Sequence, residues 1–287
     1  MHPLITTPAL ADRLQRGDAP RRLRLFDVTQ HLRPTADGRL GVHSARSDHA
    51  AAHIPGATYV DLQQDLSDTA SPLRFTLPTV PMLEAAFSAA GLSNGDDCVL
   101  YSSTSAMWAT RVWWMLKSLG FAAQVLDGGL PKWLAEGRPV TTQPERYPPG
   151  SFHADPVPGL WADRHEVLRA VSDGTVCTLN ALTAAMHAGT AAMGYGRPGH
   201  ITGSVNVPYP ALLADDGCFR PLAELRAAFD AVQALAAPRV ICYCGGGIAA
   251  TMDALALGLL GHDRVAVYDG SLSEWALDPA LPMDTGP

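Results

Sequence analysis

The stretch RVICYCGGGIAATMDALALGLLG, residues 239–261, changes from one type of secondary structure to another within a few residues. Residues 240–243 form a nearly continuous apolar run, which is typical of a strand whose sheet is covered on both faces. Three glycines follow Cys244, and a helical pattern then continues to Gly261, where a left-handed cap is expected. The stretch therefore predicts a buried parallel strand, a tight turn and a helix.

The second half of the chain repeats the first. Asp127 lies 25 positions after Ser102, and Asp269 lies 25 positions after Cys244. Further segments match in the same order: DCVLYS (97–102) with RVICYC (239–244), LDGGLPKW (126–133) with YDGSLSEW (268–275), and HIPGA (53–57) with HITGS (200–204). Because strands alternate with helices in each half, we expect an α/β protein of two tandem domains, each a parallel β-sheet flanked by helices.

A proline-rich segment separates the two repeats. Residues 141–159, TTQPERYPPGSFHADPVPG, contain five prolines and have no apolar period. Such a composition is typical of a linker. We therefore predict a first domain at 1–142, a linker at 143–159 and a second domain at 160–287.

Charge and composition disfavour several classes of partner. The net charge of the 287-residue chain is −7, and beyond residue 150 there are 7 basic and 14 acidic residues. Nucleic acids and anionic membranes both require a basic surface, so neither is expected as a partner. No run approaches the roughly 18 apolar residues of a membrane span. The first residues lack the pattern of a secretory signal, so a cytoplasmic protein is expected.

The cysteines do not suggest a disulfide framework or a metal site. Their number is five, which is odd, and no secretory signal accompanies them. Cys242 and Cys244 are too close together for a redox Cys-x-x-C pair, and no second Cys or His pair at zinc spacing accompanies them. We expect neither a metal nor a cofactor.

The loop after Cys244 has a clear chemical interpretation. Consecutive glycines allow backbone N–H groups to point inward, and the following helix adds the positive end of its dipole. This environment favours the thiolate and could hold an anionic sulfur donor or the terminal sulfur of a persulfide. The alternative is that Cys244 is a small buried hydrophobic residue in a tight turn. Ser102 occupies the matching position in the first half without such glycines, so the two halves differ in function.

These motifs resemble the tandem-rhodanese family, which includes thiosulfate and 3-mercaptopyruvate sulfurtransferases. The resemblance is carried by ATRVWW (109–114), LDGGLPKW (126–133), RPGHITGSVNVP (197–208), YCGGGIAAT (243–251) and YDGSLSEW (268–275). It implies an inactive first domain, with Ser102 at the cysteine position, and a catalytic Cys244. The family's six-residue loop would then contact the substrate through Gly245, Gly246, Gly247, Ile248 and Ala249.

The same loop excludes a related class of enzyme. Cysteine phosphatases of the Cys-x5-Arg type require an arginine six positions after the nucleophile, and that position is Ala250 here. The sequence therefore lacks the cation that grips phosphate in that class.

The resemblance leaves the sulfur donor open. The loop CGGGIA is uncharged, like the mercaptopyruvate type, but lacks the hydroxyl groups of that type. Residues 184–189 contain no carboxylate-binding arginine, and Phe75 replaces a family histidine. The remaining candidates for holding an anion are Arg197, Arg74 from the first half of the chain, and His187.

The expected activity is transfer of sulfane sulfur from thiosulfate or 3-mercaptopyruvate to a thiol or to cyanide, through a persulfide on Cys244. The alternative is a weakly catalytic rhodanese-fold protein that relays or binds sulfur. The missing carboxylate-binding arginines favour this alternative, whereas the intact Cys244 loop opposes it.

Overall fold

A computed structural model describes residues 1–17, 21–34, 40–191 and 194–286. The chain forms two compact units. The first comprises Met1–Ala70, Leu77–Val157 and Asp215–Cys218, and the second comprises Ser71–Thr76, Pro158–Ala214 and Phe219–Pro287. Each unit therefore includes a short segment from the other half of the sequence.

The first unit contains a parallel sheet with helices packed against it. Its elements are β1 (Leu4–Ile5), α1 (Thr7–Arg16), β2 (Leu23–Asp27), β3 (Gln30–Pro34), β4 (Leu40–Ser44), α2 (Arg46–Ala51), β5 (Ala57–Tyr59), α3 (Val80–Ala89), β6 (Asp97–Tyr101), α4 (Ala106–Ser118), β7 (Ala123–Leu126) and α5 (Gly129–Ala135). The sheet has the order β1-β7-β6-β2-β5 with parallel neighbours, and β3 and β4 form a separate antiparallel pair.

The second unit repeats this arrangement. Its elements are β8 (Trp161–Ala162), α6 (Arg164–Ala170), β9 (Val176–Asn180), α7 (Ala184–His187), β10 (His200–Ile201), β11 (Val205–Asn206), a 3-10 turn (Tyr209–Leu212), α8 (Leu222–Ala231), a second 3-10 turn (Ala234–Ala236), β12 (Arg239–Tyr243), α9 (Ala250–Leu259), β13 (Val265–Tyr268), α10 (Ser271–Trp275) and β14 (Met283–Asp284). The parallel sheet has the order β11-β9-β12-β13-β8, and β10 pairs with β14 in the antiparallel sense. The predicted fold class is confirmed.

The middle strands of the two sheets are the ones on which the repeat was recognised. In β6 and β12 every residue after the first is buried. Both are therefore covered by helices on both faces, as their apolar sequences predict. Gly261 follows α9 with φ of +82°, so the predicted left-handed cap is confirmed, and Gly120 follows α4 with φ of +75° in the same way.

Two matching tryptophans anchor α5, which follows β7, and α10, which follows β13. Trp133 and Trp275 are almost fully buried, with 1% and 0% of each residue exposed. Each indole nitrogen donates to a carbonyl a few residues later, Pro139 at 2.8 Å and Pro282 at 3.0 Å. A buried indole needs such an acceptor, and here it also closes the chain segment after each helix.

Most of the segment predicted as a linker is grouped with the first unit. Phe152 is 1% exposed, and its ring packs edge-on against Phe87 and Phe121. Tyr147 donates from its hydroxyl to the carbonyl of Gly56. The prolines therefore keep this segment extended while its aromatic side chains dock on the first unit.

Within the described ranges, no helix has the length and apolar character that crossing a bilayer requires.

Candidate active site

Cys244 lies directly after β12, the middle strand of the second sheet. Loops at the carboxyl ends of parallel strands are where open α/β sheets hold their ligands. Only 2% of Cys244 is exposed, and residues 245–249 lead from it to the start of α9. The thiol is therefore at the base of a loop that lies at this ligand-binding edge.

The three glycines of the loop have different environments. Gly247 has φ of +72°, a left-handed conformation that a side chain disfavours. A Cβ at Gly245 would overlap the ring and hydroxyl of Tyr195. A Cβ at Gly246 would lie 3.5 Å from Ser273 Oγ, which is an ordinary contact. This geometry therefore requires glycine at 245 and 247 but not at 246.

Replacing Gly247 with alanine is expected to lower the free energy of unfolding by about 1–2 kcal/mol, because the left-handed backbone is strained for any residue with a Cβ. Gly246→Ala is the matched control and is expected to stay within about 0.5 kcal/mol of wild type. Urea unfolding followed by tryptophan fluorescence measures both. Equal losses for the two variants would contradict the assigned backbone conformation.

Ser271, at the start of α10, holds the loop in place. It is fully buried, and its Oγ accepts hydrogen bonds from the amides of Cys244 at 3.1 Å and Gly247 at 3.0 Å. The same hydroxyl donates to the carbonyl of Tyr268 at 2.7 Å. Ser271 has φ of +47°, whereas the repeat places Gly129 at this position in the first unit, with φ of +57°. The hydroxyl of this strained serine therefore organises the loop, which the glycine of the first unit could not do.

Sequence reasoning missed Ser271, although a signal was present. Aligning LDGGLPKW with YDGSLSEW places Ser271 opposite a glycine. A serine at a position that favours glycine indicates that its hydroxyl is needed.

The loop carbonyls face α10, and several loop amides remain available. The carbonyl of Cys244 accepts from Leu272 N at 3.1 Å, and that of Gly245 accepts from Ser273 N at 2.8 Å and Oγ at 2.7 Å. In the described part of the chain, no protein acceptor is bonded to the amides of Gly245, Gly246, Ile248 and Ala249. Such N–H groups and a helix N-terminus both favour negative charge, so the loop can attract an anion although it contains no basic side chain.

Two tyrosines interact electrostatically with Cys244, and an arginine interacts with one of them. Burial and the negative charge of Cys244 raise the pKa of Tyr195 to about 12, whereas the charge of Arg74 opposes this rise. Burial and Cys244 also raise the pKa of Tyr209. Both phenols therefore stay protonated at neutral pH and can donate hydrogen bonds. Sequence reasoning missed both, because Tyr195 lies in an irregular segment and Tyr209 begins a short 3-10 turn, where no periodicity marks a side chain as facing the site.

Arg74 belongs to the segment Ser71–Thr76, which is grouped with the second unit. Its side chain is exposed, and its charge acts on the Tyr195 hydroxyl. The next residue, Phe75, is buried and has φ of +62°, which is rare for a bulky residue. Backbone strain of this kind is typical of segments held in place at functional sites.

Arg197 has a different position from the one that the sequence suggested. Its Nη2 donates to the carbonyls of Asp278 at 2.6 Å and Leu281 at 2.9 Å, and its Nε donates to that of Ala276 at 3.3 Å. These carbonyls lie beyond the C-terminal end of α10, whereas Cys244 is bonded to the residue at its start. The prediction that Arg197 binds the donor therefore finds no support in this geometry, because its guanidinium fastens the chain after α10.

His187 is a buried structural residue. Only 5% of it is exposed, and its ring stacks on His200 with centroids 3.8 Å apart. Burial and the neighbouring His200 lower the pKa of His187 to about 4, so the ring is neutral at physiological pH. A neutral buried imidazole supplies no charge for an anionic donor, so the proposed substrate role of His187 is not supported.

The first unit contains the same stacked pair. His49 and His53 have ring centroids 4.0 Å apart, and Nδ1 of His53 donates to the carbonyl of His49 at 2.7 Å. The corresponding bond from His200 to the carbonyl of His187 is 2.8 Å. The pair therefore belongs to the repeated architecture and not to the Cys244 site.

Acidification is expected to destabilise the protein through His187. The pKa of this residue is about 4 in the folded state and about 6.5 in an unfolded chain. Between these values the unfolded state binds more protons, so stability falls as the pH decreases. Urea unfolding at pH 7 and pH 5 should show a smaller pH-dependent loss for His187→Phe than for wild type. An identical loss would mean that His187 is not buried as a neutral group.

The other thiols have unfavourable environments for reactivity. All five cysteines are free. Burial raises the pKa of both Cys98 and Cys242, and that of Cys242 lies well above the ordinary range. Neither is therefore ionised at neutral pH. Among the described residues, no group of three His, Cys, Asp or Glu side chains could hold a metal ion.

The corresponding turn of the first unit has no thiol. Ser102 Oγ accepts from the amides of Thr104 at 3.1 Å and Ser105 at 3.3 Å. Ser105 in turn caps α4 by accepting from the amide of Met107 at 3.4 Å. Side chains within the turn therefore bond the amides of Thr104 and Met107, whereas the matching amides of Gly246 and Ala249 have no protein acceptor in the described part of the chain.

The fold and the site define a two-domain α/β protein with a cysteine on an amide-rich loop, an arrangement suited to thiol chemistry. The sequence-family model of the rhodanese-like domain matches residues 7–136 and 190–278. Thiosulfate sulfurtransferase from Rattus norvegicus is 33% identical over 279 residues, covering 95% of this chain and 91% of the relative. Thiosulfate/3-mercaptopyruvate sulfurtransferase 2 from Arabidopsis thaliana is 34% identical over 260 residues, covering 82% and 76%.

A solved structure agrees with these relatives. The crystal structure of SseA from Escherichia coli, described as a 3-mercaptopyruvate sulfotransferase, is 27% identical with a TM-score of 0.81, covering 94% of this chain and 99% of that one. The chain belongs to the tandem-rhodanese sulfurtransferase family. It is accordingly a sulfurtransferase, as the sequence predicted.

Proposed function

We propose that Cys244 carries sulfane sulfur as a persulfide, taken from a small anionic donor and passed to a thiol or to cyanide. The observation that carries this proposal is the set of amides, in the loop between Cys244 and the start of α9, that have no protein acceptor among the described residues. These groups stabilise a thiolate before the reaction and the terminal sulfur of a persulfide after it. The names of the sulfurtransferase relatives support the same chemistry.

With thiosulfate as donor, the reaction consists of two displacements. The Cys244 thiolate attacks the outer sulfur, a new S–S bond forms, and the old S–S bond breaks with its electron pair leaving on sulfite. The acceptor then attacks the terminal sulfur, and the electron pair of the broken S–S bond returns to Cys244. This is covalent catalysis with ping-pong kinetics. With 3-mercaptopyruvate the C–S bond breaks instead, and the carbon of the pyruvate product gains the thiol proton.

Arg74 supplies the side-chain charge for the donor. The second half of the sequence is acidic, so an anion needs a local attraction that the net charge does not provide. Arg74 acts on Tyr195, which packs on the loop next to Cys244. Its guanidinium can bind a sulfonate or a carboxylate through parallel hydrogen bonds.

The test of this function is a comparison of donors on the purified protein. Thiosulfate and 3-mercaptopyruvate are each supplied with cyanide, and thiocyanate is measured together with sulfite or pyruvate. Intact-mass analysis before the addition of cyanide should show one added sulfur atom. If neither donor gives thiocyanate and neither adds a sulfur atom to the protein, the proposed function is refuted.

A matched pair of arginine variants tests the charge. Arg74→Ala is expected to lower kcat/KM for anionic donors on the order of tenfold or more, which is the typical effect of losing a charge-assisted hydrogen bond. Arg226→Ala, an exposed arginine of the same unit, is the control and should leave kcat/KM unchanged. If the two variants behave alike, Arg74 does not contact the donor.

A further inference from the structure

The ring of Tyr195 occupies the space that a side chain at position 245 would need. A Cβ on Gly245 would overlap Tyr195 Cζ and Oη, while the neighbouring Gly246 has room for one. The two residues are 50 positions apart, so this is a tertiary contact and not a property of the loop alone. The Tyr195 ring can therefore keep this position over the loop only while residue 245 has no side chain.

The hydroxyl of Tyr195 interacts electrostatically with both Cys244 and Arg74. Burial and the interaction with Cys244 raise its pKa to about 12, whereas the positive charge of Arg74 opposes this rise. The hydroxyl is therefore protonated through the neutral range and can donate a hydrogen bond. The hydroxyls of Ser271 and Ser273, by contrast, already donate to the carbonyls of Tyr268 and Gly245.

We propose that Tyr195 determines donor specificity: its ring limits the size of the donor above Gly245, and its hydroxyl donates a hydrogen bond to the anionic group of the donor beside Arg74. The substrate class is then compact sulfane donors whose sulfonate or carboxylate lies within a few bonds of the transferable sulfur. This inference rests on the proposed function of Cys244. It assigns to Tyr195 a role in choosing the donor and not in forming the persulfide.

The experiment compares a compact donor with a bulky one. Thiosulfate and benzenethiosulfonate both transfer an outer sulfur to the Cys244 thiolate, with sulfite or benzenesulfinate leaving with the electron pair. Wild type is expected to prefer thiosulfate. Tyr195→Ala should shift the ratio of kcat/KM values at least tenfold toward benzenethiosulfonate, because it removes the ring that limits size. Tyr195→Phe should keep the size preference while raising KM for thiosulfate on the order of tenfold, because only the hydrogen bond is lost.

A double-mutant cycle tests whether a side chain at position 245 and the Tyr195 ring compete for the same space. Gly245→Ala alone should impair turnover of thiosulfate, whereas adding it to Tyr195→Ala should cost less than twofold further, because the clash has been removed. Tyr209→Phe is the comparison variant, and it should leave the size preference as in wild type. The rate of Cys244 alkylation and the Tm of each variant show whether the thiol and the fold are intact.

The outcomes separate this inference from the proposed function. If both Tyr195 variants keep the donor ratio and both KM values within twofold of wild type, Tyr195 has no role in specificity, although Cys244 still transfers sulfur. If wild type turns over 3-mercaptopyruvate but neither of these two donors, this inference fails while the proposed function stands. If none of the three donors gives turnover, the proposed function fails and this inference fails with it. A size shift equally large in Tyr209→Phe would also overturn the specific role of Tyr195.

Discussion

Replacing Cys244 with serine is expected to lower sulfur transfer by at least about a thousandfold, the typical loss when a covalent nucleophile is removed. A serine hydroxyl is not ionised at neutral pH and cannot form a persulfide. Thiocyanate production from thiosulfate and cyanide measures the loss. The sulfur atom added to the intact mass after donor treatment should disappear in the same variant.

Cys242→Ala is the matched control for this experiment. Cys242 lies two residues upstream, within β12, and is fully buried. It should keep most of the activity, because its thiol is protonated and packed in the core. Substantial turnover in Cys244→Ser, or a loss of turnover in Cys242→Ala alone, would mean that another thiol carries the reaction.

Replacing Asp253 with asparagine is expected to stabilise the protein at neutral pH. Asp253 lies in α9 and is fully buried, and neither carboxyl oxygen has a hydrogen-bond partner in the described part of the chain. Burial raises the pKa of this residue well above its ordinary value. The folded state therefore retains a proton that the unfolded chain releases above a pH of about 4. Between the unfolded and the folded pKa, stability falls as the pH rises. The folding equilibrium constant decreases by about a factor of ten for each pH unit.

Urea unfolding at pH 5, 6 and 7 measures this effect. The gain in stability of Asp253→Asn over wild type should grow as the pH rises, because asparagine has no proton to lose. Asp263→Asn, at an exposed position, is the control and should show no such trend. Parallel pH profiles for wild type and Asp253→Asn would mean that Asp253 is ionised or partnered in the folded protein.

Features that depend on local pattern and internal repetition could be predicted from the sequence. The apolar strand before Cys244, the glycine loop and the left-handed cap at Gly261 are all present in the structure. The tryptophans of the matching segments LDGGLPKW and YDGSLSEW are buried at equivalent places in the two repeats. These features follow from short-range backbone preferences, which one sequence shows directly.

Features that depend on long-range packing could not be predicted. Arg197 precedes a conspicuous motif, but its partners are carbonyls about 80 positions later, which no local pattern shows. His187 resembles an exposed loop residue until the tertiary structure buries it against His200. Tyr195 has no sequence signal, because the evidence for it is the space that Gly245 leaves open. In each case the identity of the residue was visible, but its surroundings were not.

The exchanged segments also bear on how such a tandem chain can evolve. Residues 71–76 come from the first half of the sequence but are grouped with the second unit, and 215–218 show the reverse. A gene for residues 160–287 alone would encode Cys244 without residues 71–76, and therefore without Arg74. In a chain divided in this way, neither half of the sequence contains all the residues of its own unit. Shortening the gene at the linker would then remove part of the second unit together with the first.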